Sequence, residues 1–305
     1  MNISIIGGAG FIGQSLFQYF YKKKYNVTLI DTEQRFSRVK LSDNKTNIKI
    51  CDYEDKKSIE LALKKTEILI NLFCKTEPKS SMKSIINDAN SNILTNVRIF
   101  EISKKIGVKK IIFSSSGGAV YGVVKNIPIK ETEIKNPISA YGASKISSEK
   151  YLSLYKNIEC IILRISNAYG PLQFYKSKIG IISKILESIK ESKDIIIEGN
   201  GNVLRDYIYI EDICRAFFIS ATNNEKLKSD AYNIGTGYGK TINELIDLTF
   251  KLTNKKCKVF YSDERKFDIP KNVLDHSKFS KLTNWQPRVS LDEGIKLMWK
   301  YLNSN

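Results

Sequence analysis

The sequence predicts an α/β protein: a doubly wound parallel sheet with helices on both faces, joined to a smaller α/β C-terminal lobe. Three observations carry this expectation. Short apolar runs alternate with helix-length amphipathic segments through the first half of the chain, the order that builds a parallel sheet. A glycine-rich turn joins the first apolar run to the first helical one. At 305 residues and 42% hydrophobic, the chain can bury a full core and suits one large domain or a domain with a smaller lobe.

Residues 3–6 (Ile-Ser-Ile-Ile) read as the first strand, Gly7-Gly-Ala-Gly-Phe-Ile-Gly13 as the turn, and 14–24 as the first helix. Gly7 permits the tight turn, Gly10 lets the backbone approach a pyrophosphate, and Gly13 lets helix pack on strand. The helix N-terminus then faces the anion. This is the order of a Rossmann-type dinucleotide site. The second strand, 25–30, ends at Asp31, 18 residues beyond Gly13. A carboxylate there accepts from a ribose hydroxyl and repels a 2′-phosphate, which favours NAD over NADP; Arg35 and Arg38 leave NADP a small opening.

A third strand is expected at 47–51, followed by Asp52, placed either to reach the adenine or to cap a helix over 55–65. The fourth strand follows at 67–72, a long helix at 82–106 and a fifth strand at 109–113. The serines and glycines at 114–118 lie just past a strand's carboxyl end, where ligands bind in such sheets. Tyr141 and Lys145, four apart in a predicted helix over 137–156, share one face. Holding a tyrosine, pKa about 10, as phenolate near neutrality needs about 4 kcal/mol, which a lysine and a cationic nicotinamide ring can supply. Next come a strand at 159–165, a helix at 180–190, a strand at 194–197 and the turn Gly199-Asn-Gly201. A helix at 211–222, a strand at 232–234 and a capping box from Thr241 to Glu244 complete the pattern. The expected division is 1–168 with about 206–235 as the dinucleotide-binding domain, and 169–205 with 236–305 as the substrate lobe.

Composition narrows the function. The net charge of +17 is mostly lysine spread along predicted helices, without a nucleic-acid motif or aromatic platform, so specific nucleic-acid binding is not expected. No run of about 18 apolar residues and no basic leader is present, which makes a cytoplasmic protein without membrane contact the expectation. The cysteines at 51, 74, 160, 214 and 257 have neither CxxC pairing nor metal spacing and read as reduced thiols with no metal. His276 is the only histidine, which excludes a Ser-His-Asp triad and a multi-histidine metal site.

The ordered motifs Gly7 to Gly13, Asp31, Ser115-Ser-Gly-Gly-Ala-Val-Tyr-Gly122, Tyr141-Gly-Ala-Ser-Lys145, Arg164-Ile-Ser-Asn-Ala-Tyr-Gly-Pro171 and Val203-Leu-Arg-Asp-Tyr-Ile-Tyr209 resemble the extended short-chain dehydrogenase/reductase superfamily. Within it the chain most resembles the NAD-dependent nucleotide-sugar epimerase/dehydratase family, its UDP-glucose 4-epimerase branch above all, over essentially its whole length. The resemblance implies bound NAD, held by Gly7, Gly10, Phe11, Ile12, Gly13, Asp31, Asp52, Asn92, Tyr141 and Lys145. It implies Tyr141 as the acid/base and Lys145 as the residue that holds the nicotinamide ribose and lowers the Tyr141 pKa. The family's catalytic Ser or Thr falls on Gly117, so Ser116 is the candidate in its place. Another departure is Asn71-Leu-Phe-Cys74, where the family has a small, alanine-rich strand end.

For the substrate, the resemblance implies a UDP-hexose gripped by Arg205 and Arg265, whose guanidinium forks suit phosphate. Asp268 would orient Arg265 or accept from the ribose, Asn167 would contact the sugar nucleotide, and Asn272, near the hexose, is small enough to admit an N-acetylated sugar. Inversion at C4 is the implied reaction. A 4,6-dehydratase carries an acidic pair after its catalytic Thr, and Gly118-Ala119 stands there instead. The same motifs are also compatible with a 4-reductase and with a non-catalytic NAD-binding protein. Family members pair as dimers through helices matching 82–106 and 137–156, which makes a homodimer the expectation.

Overall fold

A computed structural model describes residues 1–39, 47–174, 180–222, 226–263 and 268–304. The main sheet holds seven strands: β1 (Asn2–Ile6), β2 (Asn26–Asp31), β3 (Asn47–Ile50), β4 (Ile68–Asn71), β5 (Lys110–Ser116), β6 (Glu159–Ile165) and β7 (Asp230–Ile234). Their order is β7-β6-β5-β4-β1-β2-β3, with every pairing parallel. The chain starts at the centre, builds outward to β3, then crosses back to lay β4 beside β1. That reversal opens a crevice at the carboxyl ends of β1 and β4, where such sheets bind ligands.

The helices of eight residues or more are α1 (Phe11–Lys22), α2 (Lys56–Leu63), α3 (Thr95–Lys105), α4 (Ala140–Leu152), α5 (Ile181–Glu191), α6 (Ile210–Thr222), α7 (Ile242–Thr253) and α8 (Leu291–Ser304). Strand alternation sends neighbouring residues to opposite faces. Ile5, Ile70 and Ile112 pack with Leu16 of α1 and Phe217 of α6. Ile6, Leu69 and Ile111 pack with Leu63 of α2 and Phe100 of α3 on the other face. Covered on both sides, the strands are near-continuous apolar runs, and each fully buried Leu or Ile contributes about 1.5–3 kcal/mol.

Short strands and α5, α7 and α8 form the second layer. Ile195–Glu198 pairs in parallel with Val259–Ser262. Leu204–Arg205 pairs antiparallel with Lys240–Thr241 and parallel with Lys271–Asn272. Asn167–Tyr169 pairs with Tyr207–Tyr209, carrying the chain back toward the main sheet. Among the described residues no helix is long and apolar enough to cross a membrane.

Three local expectations need correction. The helix predicted over 82–106 is broken into Ile85–Asp88, a π-helical turn Ala89–Leu94, and α3. Asp88, Asn92 and Asn96 are all buried there, and the wider turn accompanies their satisfaction by one another and by α4. The cap of α2 is Asp55, which accepts from the Lys57 and Ser58 amides; Asp52 is exposed and accepts from the Glu54 amide instead. β5 runs on to Ser116 rather than ending at 113, because Ser114 to Ser116 pair with Leu163 to Ile165. The capping box from Thr241 to Glu244 is present at the start of α7.

Candidate active site

The glycine turn is closely packed, most of all at Gly13. Gly7 has φ +76°, and a Cβ on Gly13 would lie 2.5 Å from the Gly7 carbonyl oxygen and 2.8 Å from the Gly8 Cα. Helix α1 opens on Gly10 with no side-chain cap and no acidic residue in its first turn, so its leading amides suit an external anion. Asp31, at the end of β2, is wholly buried, and its Oδ2 accepts from the Ala9 amide at 3.0 Å. It therefore fixes the turn from behind, with Arg35 4.0 Å away. Asn92 is also buried; its Oδ1 accepts from the Lys75 amide and its Nδ2 donates to Thr76 and Asp88. That pins the loop after β4, which forms another wall of the crevice. The close-packed turn and the uncapped helix fit a dinucleotide.

Ser139 starts α4 by accepting from the Gly142 amide, and one turn then carries Tyr141 and Lys145 to the end of β5. Lys145 is 5% exposed; its Nζ donates to the Ser114 carbonyl at 2.8 Å and lies 5.9 Å from the Tyr141 ring centre. Tyr141 is half-buried and lines a cleft of ≈ 590 Å³. Burial pushes its phenol pKa above the ordinary value and Cys74 adds to the rise, while a hydrogen bond with Ser116 opposes it. With the protein's own groups alone, Tyr141 is thus held protonated.

The placement of Ser116 has a steric reason. A Cβ on Gly117 would meet Leu274 Cδ1 at 2.3 Å, so a side chain there would drive into the core. Ser116 instead lines the cleft with Tyr141.

Asn167, Arg205 and Asp268 line the same cleft. The Arg205 guanidinium donates to the Ile269 carbonyl at 2.6 Å and lies 3.6 Å from Asp268; burial lowers its pKa from the ordinary value. Asp268 therefore faces Arg205, and Arg265 lies outside the described residues. Asn272 calls for a correction. It is fully buried, does not line the cleft, and donates to the Gly117 carbonyl at 2.9 Å. Its position on Lys271–Asn272, paired with Leu204–Arg205, turns it toward the Ser116–Gly117 loop rather than toward a sugar.

The sequence reading missed two groups. Thr76 and Glu77, from the loop after β4, line the cleft with Cys74. Behind the site, buried Glu149 pairs with Arg164 at 2.6 Å and accepts from Ser115, and Arg164 continues to Tyr121 and Asn233. Glu149 was findable, since it continues the face of Tyr141 and Lys145 by another four residues. Among the described residues, no group of three or more His, Cys, Asp or Glu could hold a metal ion.

Comparison with known proteins places this geometry. The structure of UDP-glucose 4-epimerase from Thermotoga maritima with UDP-glucose superposes with a TM-score of 0.91 at 34% identity, covering 100% of this chain and 99% of that one. A Methanocaldococcus jannaschii protein provisionally named a UDP-glucose 4-epimerase is 32% identical over 99% of each chain. An Escherichia coli dTDP-4-dehydro-6-deoxyglucose reductase is 33% identical over 98% of this chain and 96% of its own. The profile of the NAD dependent epimerase/dehydratase family matches residues 3–235. Rossmann-order sheet, glycine turn and matched sequence together make this chain a member of the NAD-dependent epimerase/dehydratase family, whose cofactor is NAD.

Proposed function

We propose that the protein inverts C4 of a UDP-hexose, interconverting UDP-glucose with UDP-galactose or the corresponding N-acetylhexosamine pair. The observation that carries this reading is the gathering of Tyr141, Ser116 and Arg205 on one cleft, with the buried Lys145 ammonium behind Tyr141. Arg205, with Asp268 holding its guanidinium and Asn167 nearby, would grip the diphosphate end. Arg265, outside the described residues, is proposed to share that role. Anchoring through the remote nucleotide leaves the hexose free to turn over, which C4 inversion requires.

The glycine turn and Lys145 would hold NAD, with Asp31 bracing the turn from behind and Asp52 and Asn92 at its margins. NAD, when bound, serves as the oxidant and then the reductant of C4. Tyr141 takes the O4 proton and later returns it, while Ser116 donates a hydrogen bond to the same oxygen. Lys145 supplies positive charge beside the phenol, and the cofactor's charge would add to it, opposing the rise that burial and Cys74 cause.

The five thiols are all free, which suits a reducing cytoplasm. We also propose that two copies pair through α4 and the segment leading into α3.

A second reading, a 4-keto reductase, draws support from the Escherichia coli relative. The deciding experiment incubates the purified protein with UDP-glucose and, separately, UDP-N-acetylglucosamine, without added NAD, and resolves the products by anion exchange. Appearance of the C4 epimer supports the epimerase. Stoichiometric consumption of reduced nicotinamide with a 4-keto sugar, and no epimer, favours the reductase.

A further inference from the structure

One carboxylate at the reacting end of the cleft is not used by the proposed chemistry. Glu77, in the loop after β4, is an exposed side chain on the wall that Tyr141 and Ser116 also line. Its negative charge reaches Tyr141 and helps raise that phenol's pKa, so carboxylate and reacting hydroxyl occupy one neighbourhood. A charge that opposes the phenolate works against the chemistry, and its presence calls for another role.

Three cations among the described residues, Lys79, Lys184 and Arg205, line the same wall, and Lys79 and Arg205 face carboxylates. Lys79 Nζ lies 2.5 Å from Glu198, and Arg205 lies 3.6 Å from Asp268. Lys184 is the cation on this wall whose charge acts on Glu77. Glu77 thus presents its carboxylate on the cleft wall that Tyr141 and Ser116 share.

We propose that Glu77 is a specificity-determining residue that admits hexoses bearing hydroxyl or amino substituents and rejects hexuronates. A pyranose ring is small, so a carboxylate on any of its carbons shares the pocket with Glu77. Two like charges held in one cleft repel, the more strongly the less water lies between them. Hydroxyl and ammonium groups, by contrast, donate to a carboxylate in charge-assisted hydrogen bonds. Rejection through one repulsive group is how a site separates ligands that differ in a single substituent.

The proposal rests on the UDP-sugar reading, and its test separates the two. NAD-loaded wild type and Glu77→Gln are titrated calorimetrically with UDP, UDP-glucose and UDP-glucuronate. The affinity for UDP-glucuronate relative to UDP-glucose should rise fivefold or more in the variant, with UDP alone still bound. A smaller change in that ratio, with UDP bound by both proteins, overturns the role of Glu77. Should Glu77→Gln lose UDP, Glu77→Ala is read against the same threshold. Failure of wild type to bind UDP or either sugar removes the UDP-sugar reading, and the Glu77 proposal falls with it.

Discussion

At the level of single residues the decisive group is Tyr141, whose phenol is pushed up from 10.0 by burial and by Cys74. A raised pKa means the neutral phenol persists to higher pH than in a free tyrosine. Ultraviolet difference titration of wild type against Tyr141→Phe should therefore show no phenolate at this position below pH 10.0 in NAD-free protein. Loading NAD should move the transition to lower pH, because a cation beside the ring favours phenolate; an unmoved transition would remove the proposed activation. Gly117 yields a second prediction. Restoring the family's residue with Gly117→Ser puts a Cβ 2.3 Å from Leu274 Cδ1, in a core where Leu274 is fully buried. Overpacking of this kind costs about 1–3 kcal/mol, which denaturant unfolding should register, and pairing it with Leu274→Ala should recover part of the loss. The sequence marked Gly117 as a departure but hid its reason, because Leu274 lies 157 positions further along the chain.

At the level of elements, the parallel main sheet was legible because each strand is a short apolar run bounded by turn residues, with a glycine turn after the first; the order of the strands came from the structure alone. The segment after β4 was not. An apolar periodicity from 82 to 106 reads as one helix, yet buried Asp88, Asn92 and Asn96 draw their partners from Thr76, Ser144 and Asn71, which no local pattern displays. Asn272 misled for the same reason, its partner being the Gly117 carbonyl. Helix α4 is tied to β6 by the Glu149–Arg164 pair, both residues at most 5% exposed. Removing one member leaves a buried charge uncompensated, a loss of about 3–5 kcal/mol. Glu149→Ala should therefore lower the denaturant midpoint and reduce turnover, since the same helix carries Tyr141 and Lys145. The paired change Glu149→Met with Arg164→Leu should be milder, because no charge is stranded. Equal destabilisation by the two proteins would mean that packing, rather than charge, holds α4.

At the level of the whole molecule, the net charge of +17 favours anionic ligands and also sets copies of the chain against one another. The proposed dimer must overcome that repulsion. Exposed Ile86 and Leu94 lie on the segment leading into α3, and Tyr151 and Leu154 lie at and just beyond the end of α4; their exposures are 74%, 55%, 45% and 68%. Scattered exposed hydrophobes are ordinary, but large ones on two neighbouring helices mark a surface that gains by being covered. If apolar burial drives pairing while like charge opposes it, salt should strengthen the dimer, because the Debye length falls from about 30 Å at 0.01 M to about 10 Å at 0.1 M ionic strength. Light scattering on the column should give twice the 34.8 kDa of one chain, with the dimer persisting to lower protein concentration as salt is raised. Leu94→Glu should shift the protein toward monomer by placing a charge on the covered face. A dimer that weakens with salt would be held by ion pairs across the interface instead, and a monomer under every condition would leave these apolar side chains to ordinary solvent exposure.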